Sequence, residues 1–163
     1  MTVIVGVKCT DGVVIGCDSA ATSSDSSARP LMMVPTDKIQ IISGKMILAG
    51  TGSVGLGQRF AAIAKATIQG QPGLPPNIID GVEKLSQKAF ENFSQTGAHV
   101  GSNRFGYGAL AALPYGDSGE LVEFEVGNLQ PEIKAGKLFF ASMGSGQSLA
   151  DPFIAFVKEV LWC

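Results

Sequence analysis

The sequence predicts an α+β domain in which antiparallel sheets are built from hairpins and the helices are segregated from them. Three observations carry that expectation. Two β-branched runs, 2–10 and 13–19, flank Asp11-Gly12, the strongest short-range hairpin signal. The order of elements is then strands, two helices, strands and a helix, with hairpins outweighing any strand–helix–strand alternation. Finally, 163 residues suit one domain with a sizeable core, and no repeat or linker divides them.

In chain order, a two-residue turn at Asp11-Gly12 pairs Asp18 with Val5 and Ala21 with Thr2. That sets Asp18 three residues, roughly 10 Å, from the start of the chain along the strand. Strict alternation puts the Thr2 and Asp18 side chains on opposite faces, and one bulge or a longer turn reverses this. Residues 22–28 read as a Ser-rich polar loop. Strands are expected at 36–42 and 45–49, turning at Ser43-Gly44. A glycine-rich turn, 50–57, leads into a helix with Phe60, Ile63, Ala64, Thr67 and Ile68 on one face. Gly70 and the prolines at 72, 75 and 76 end it. Asn77 can cap a second helix, whose stripe is Ile78, Val82, Leu85, Ala89 and Phe93. Residues 97–106 form a loop, strands follow at 107–113, 120–126 and 137–143, and a last helix covers 148–161. The chain stops at Leu161-Trp162-Cys163 inside an apolar, uncapped helix, which suggests either a short member of its class or a missing carboxy-terminal portion.

Composition narrows the function classes. Hydrophobic residues make up 45% and charged residues 16%, against about 25% charged in an ordinary soluble domain. Mean hydropathy is +0.27, yet no apolar run approaches the roughly 20 residues of a membrane span. Such a surface is expected to be covered by copies of the same chain. The net charge of −2, without a Lys/Arg cluster, argues against a nucleic-acid partner. The start reads as a strand interrupted by Lys8 and Asp11, not as a signal peptide. Three cysteines without framework spacing fit free thiols in a reducing compartment, so a soluble cytoplasmic protein is expected.

Three motifs bear on chemistry. His99, the single histidine, has no second histidine or ligand-spaced cysteines to complete a zinc site, and a loop histidine is the default reading. Gly50-Thr51-Gly52-Ser53-Val54-Gly55 matches a dinucleotide fingerprint, but hairpins precede it and no acid lies about twenty residues on, where 70–74 stand. The amino terminus is the third. Thr2 is small enough for removal of Met1 to be expected, which would place a hydroxyl and a free α-amine on one residue. An α-amine has a reference pKa near 7.7–8.0 and can act as the base for its own hydroxyl. Such a pair needs a nearby cation, and the cation needs an acid. Lys38, in Thr36-Asp37-Lys38-Ile39, and Asp18 supply them; the bland alternative is that both are ordinary strand-end charges.

Thr2-Val3-Ile4-Val5-Gly6-Val7 and Asp11-Gly12-Val13-Val14-Ile15-Gly16-Cys17-Asp18-Ser19-Ala20-Ala21-Thr22 resemble the start of proteasome β-type subunits, including bacterial peptidases of the HslV kind. The resemblance continues, with collinear spacing, through Asp37-Lys38-Ile39, Leu48-Ala49-Gly50-Thr51 and Gly144-Ser145-Gly146. Differences from the usual patterns point toward another bacterial proteasome homologue, of β-proteobacterial type. The resemblance implies an N-terminal-nucleophile (Ntn) hydrolase: a four-layer αββα sandwich forming a single domain over 1–163, assembled as stacked homo-oligomeric rings around a proteolytic chamber. It implies Thr2 as nucleophile, Asp18 and Lys38 as its supporting acid and lysine, Ser145 near the amine, and the Gly50 amide as oxyanion donor. Thr22 and the Ala49-Gly50 stretch match edges that bind extended peptide by β-addition. Ala21 and Leu48 match the first specificity pocket, where they would favour apolar or small side chains.

On this reading the substrates are unfolded polypeptides, an ATP-dependent unfoldase is a conceivable partner, and no metal or cofactor is implied. Three departures stand beside it. A further acid and serine of the family, downstream of Gly144-Ser145-Gly146, have no counterpart before Cys163. The loop 23–35 is long. A retained Met1 would block the α-amine, and the alternative is then a catalytically silent ring or scaffold subunit. A non-peptidase amide hydrolase using the same nucleophile is the third reading.

Overall fold

The computed structural model describes residues 2–24, 30–69, 77–95 and 105–161. Ten strands and three helices fall within them. Strands β1 (Ile4–Lys8), β2 (Val13–Cys17), β3 (Ala20–Ser24), β4 (Pro30–Pro35), β5 (Ile39–Ile42) and β6 (Met46–Gly52) come first. Helices α1 (Val54–Gln69) and α2 (Ile78–Gln95) follow. Strands β7 (Tyr107–Leu113), β8 (Glu120–Phe124), β9 (Pro131–Lys134) and β10 (Phe140–Met143) then lead to α3 (Gln147–Leu161).

All pairing is antiparallel. One sheet has the order β10-β1-β2, a second β5-β6-β7-β8-β9, and β3 pairs with β4 as a separate hairpin. The five-stranded sheet carries a core on each face. On one, Phe60 and Ala64 of α1 and Val82, Leu85, Ala89 and Phe93 of α2 pack over Ala109, Ala111, Val122 and Phe124. On the other, Ala49 and Leu110 meet Ile4, Ala141 and Met143 of the three-stranded sheet. Successive residues of a strand face opposite ways, so Ser142 turns outward and its hydroxyl donates to Asp151 Oδ1 of α3 at 2.5 Å. The order is therefore helix, sheet, sheet, helix, as expected.

Local chemistry explains much of this. The Asn77 side chain accepts the Ile79 amide at 3.0 Å and caps α2, and the foreseen stripe of α2 is buried at Val82, Leu85, Ala89 and Phe93 and partly buried at Ile78. Ser43 and Gly44 both take positive φ, 52° and 65°, in the expected turn between β5 and β6.

The structure also corrects the sequence reading. Neither Asp11 nor Gly12 has positive φ, so the two-residue turn does not form. Instead Cys9 N–H donates to Gly12 C=O at 2.7 Å, and Lys8 pairs with Val13. The register shifts by two, and Asp18 lies across from Val3 rather than Val5, with its amide donating to the Val3 carbonyl. Residues 22–24, read as the start of a Ser-rich loop, belong to β3, which pairs with β4, and Pro30 and Pro35 stand at the ends of β4, where a missing N–H is tolerated. β9 was not foreseen. β5 starts at Ile39, β8 ends at Phe124, β10 starts at Phe140, and β6 runs on to Gly52. The expected stop at 70–76, His99 and the end at 162–163 lie outside the described residues.

Candidate active site

Regular pairing of β1 with β2 stops at Ile4 and Cys17, which frees Val3 and Asp18 from strict alternation. The Asp18 carboxylate then turns back over the chain start. Its Oδ1 accepts the Val3 amide at 2.8 Å and its Oδ2 the Ala20 amide at 2.9 Å. Lys38 Nζ donates to both oxygens, each at 2.8 Å. Burial pushes the Asp18 carboxyl up, but the Lys38 and amide hydrogen bonds and the ammonium charge outweigh it and hold the group at about 2.

Lys38 reaches Asp18 because β3 and β4 form a hairpin. Ala20 pairs with Pro35, Thr36 N–H donates to Ser19 C=O at 2.8 Å, and the chain leaving β4 returns beside the chain entering β3. The Lys38 side chain is 8% exposed, and its Nζ also donates to Thr2 Oγ1 at 3.3 Å. Thr2 is held from the other side by the turn after β10. Thr2 N donates to Ser145 Oγ at 2.9 Å and Gly146 N–H donates to Thr2 C=O at 3.0 Å. Gly144, at φ 98°, admits this approach, since a Cβ there would strike the Thr2 carbonyl. Thr2, Asp18, Lys38 and Ser145, far apart in sequence, thus form one cluster.

A cavity of about 350 Å³ opens beside Thr2 and Lys38, and Ala21, Leu48 and Gly50 line it with them. Ala49 is fully buried between the sheets, so only its main chain can serve the cavity. Thr22 stands next along β3, across from Met33. Pairing of β5 with β6 ends at Ile39 and Ala49, so among the described residues the β6 edge from Gly50 onward has no partner strand on that side. Among the described residues β3 pairs only with β4, which leaves its other edge open. Sequence reasoning missed Tyr107, which lies under Gly50, and Asp37 and Gln40, which also line the cavity. The Thr36-Asp37-Lys38 string was a signal for Asp37; nothing local marked Tyr107. Among the described residues no group of three or more His, Cys, Asp or Glu could hold a metal ion. No helix among them is long and apolar enough to cross a membrane.

Two antiparallel sheets between helical layers define the Ntn-hydrolase fold. The family model described as proteasome subunit matches residues 2–155, and the chain belongs to that family. Solved structures agree on the fold. HslV from Trypanosoma brucei is 13% identical over 97% of this chain and 80% of that one, with a TM-score of 0.67. The Gly-1 mutant of Anbu from Hyphomicrobium sp. strain MC1 is 14% identical over 96% of this chain and 66% of that one, with a TM-score of 0.70. No curated protein sequence matches the chain.

Proposed function

We propose that this proteasome-family chain is a threonine-type endopeptidase that becomes active when Met1 is removed. The observation that carries the reading is the 3.3 Å contact from Lys38 Nζ to Thr2 Oγ1, made while Lys38 is clamped to Asp18. A cation so held lowers the energy of a developing alkoxide without collapsing onto it. With Met1 gone, the Thr2 α-amine takes the hydroxyl proton as Oγ1 attacks the peptide carbonyl. Ser145 Oγ, 2.9 Å from Thr2 N, orients that amine. The Gly50 amide is the proposed donor to the oxyanion. The C–N bond then breaks, the amine transfers its proton to the leaving nitrogen, and an ester remains on Thr2. Water, deprotonated by the same amine, releases the acid and restores the hydroxyl.

The open edges of β3 and β6, at Thr22 and Ala49-Gly50, would take an extended peptide through main-chain hydrogen bonds, with its side chain in the cavity. Assembly into stacked homo-oligomeric rings in the cytoplasm, unfolded polypeptides as substrates and an ATP-dependent unfoldase belong to the same reading. The exposed Met32, Met33, Leu149, Phe153 and Phe156 support assembly, because apolar surface of this kind marks interfaces.

Intact-mass analysis joined to a fluorogenic peptide assay tests the proposal. Loss of one methionine, with cleavage that Thr2→Ala abolishes, is expected. Full retention of Met1 without cleavage would instead identify a silent ring subunit, and equal cleavage by wild type and Thr2→Ala would remove Thr2 from the mechanism.

A further inference from the structure

Tyr107 opens β7 and is 3% exposed. Its ring is fixed by Phe60 and Phe93, at centroid distances of 5.5 and 6.3 Å. The hydroxyl lies directly behind Gly50: a Cβ built on Gly50 would stand 2.5 Å from it, and one built on Gly57 would stand 3.1 Å from Cε2. Gly50, Gly57 and Tyr107 all line the cavity beside Thr2. Yet the phenol has no hydrogen-bond partner among the described residues. The ring is buried but the hydroxyl borders the cavity, and the cavity is the space from which a partner can come. Burial pushes the phenol well above its ordinary value, so it stays neutral and keeps an oxygen lone pair to offer.

The charge in this cavity is asymmetric. Among the described residues Asp37 and Lys38 are its only charged lining residues, and Lys38 is engaged by Asp18. Asp37 is exposed at the rim without an ion-pair or hydrogen-bond partner among the described residues. Gln40 adds an amide oxygen. The cavity is therefore rich in acceptors and carries one uncompensated negative charge.

We infer that this cavity selects a basic side chain, lysine or arginine, on the residue whose carbonyl is attacked, with Asp37 facing the cationic head and the Tyr107 hydroxyl accepting from it. The inference rests on Thr2 as nucleophile, since the cavity borders Thr2 and Gly50 and so receives the residue just before the cleaved bond. A leucine side chain would strip water from the Tyr107 hydroxyl and give it nothing in return. A glutamate would meet Asp37. Ala21 and Leu48, expected from sequence to favour apolar or small residues, are then the walls along the aliphatic stem.

The test uses the protein freed of Met1 and fluorogenic peptides that differ only at that residue, as Arg, Lys, Leu or Glu. The expected kcat/KM for Arg and Lys exceeds that for Leu about tenfold, with Glu lowest. Asp37→Asn should lower the Arg and Lys values about threefold to fivefold, in the range of an exposed ion pair, and leave Leu unchanged. Tyr107→Phe, which keeps the ring, should lower Arg and Lys about fivefold and raise Leu relative to them. Leu cleaved as well as Arg by the wild type, or Asp37→Asn lowering every peptide equally, overturns the inference. Binding of the same peptides to Thr2→Ala, read by fluorescence anisotropy, separates the two proposals. An Arg-over-Leu preference there, with no cleavage by wild type, rejects the peptidase and supports the subsite; cleavage without that preference does the opposite.

Discussion

The ammonium of Lys38 bridges both carboxylate oxygens of Asp18 at 2.8 Å, closing a contact between segments that are 20 residues apart. This pairing, with the Val3 and Ala20 amides on the same carboxylate, makes Asp18 the electrostatic anchor of the chain start.

A pH dependence follows. The folded carboxyl, at about 2, lies below its ordinary 3.8, so folding favours the ionised form. Its contribution is complete above the unfolded value and is lost as pH falls through the folded one. At 31% side-chain exposure, screening leaves about 1–2 kcal/mol of stability. Urea unfolding should show wild type more stable than Asp18→Asn at pH 7, with the gap shrinking by that amount between pH 5 and pH 1. A gap that does not change with pH would show the carboxylate to be uncoupled from folding.

Removing the cation isolates its catalytic share. In Lys38→Ala, Thr2 Oγ1 loses the ammonium that donates to it, and kcat/KM on the best peptide is expected to fall about 10²–10³-fold. Steady-state kinetics of protein with verified loss of Met1 reads this directly, and a fall of less than tenfold would contradict the role given to Lys38.

Gly144 is a geometric dependence of the site. At φ 98°, and with the Thr2 carbonyl where a Cβ would go, Gly144→Ala must strain the turn and push Thr2 away from Lys38. A loss of about 2 kcal/mol or more in denaturant unfolding is expected, together with a fall in activity larger than the stability change alone explains.

A stabilising change is available on α1. The Thr67 hydroxyl is buried and has no hydrogen-bond partner, the one such side-chain atom among the described residues. Thr67→Val keeps the branched shape and removes the unsatisfied group, and should raise stability by about 1 kcal/mol in thermal or urea unfolding. No gain would place a partner on that hydroxyl.

Much of this was legible in the chain because it is local. Asn77 announces a helix start through its own side chain, Ser43-Gly44 a turn through its backbone preferences, and Val82, Leu85, Ala89 and Phe93 a buried face through their spacing. β9 was not legible, since Pro131-Glu132-Ile133-Lys134 is only four residues long, opens with a proline and holds one β-branched residue between two charges. Its inward Lys134 is buried only because Glu123, on the adjacent β8, and Glu132 pair with it at 2.7 and 2.8 Å. Such a strand is stabilised by charges from a neighbour that its own composition cannot reveal.

By itself, the sequence determined which residue types were on offer for chemistry: a threonine behind the first methionine, and an aspartate, a lysine and a serine in motifs of recognisable spacing. It also determined the helices, most of the strands and the alternation of a two-sheet fold. Only the tertiary structure decided that these four residues meet. The β3–β4 hairpin carries Lys38 back to Asp18, and the turn at Gly144 seats Thr2 between Lys38 and Ser145. The cavity, with Tyr107 behind Gly50, was decided there too. Local preferences act over a few residues along the chain, whereas a site is made of distances between segments, and those are set by register and packing.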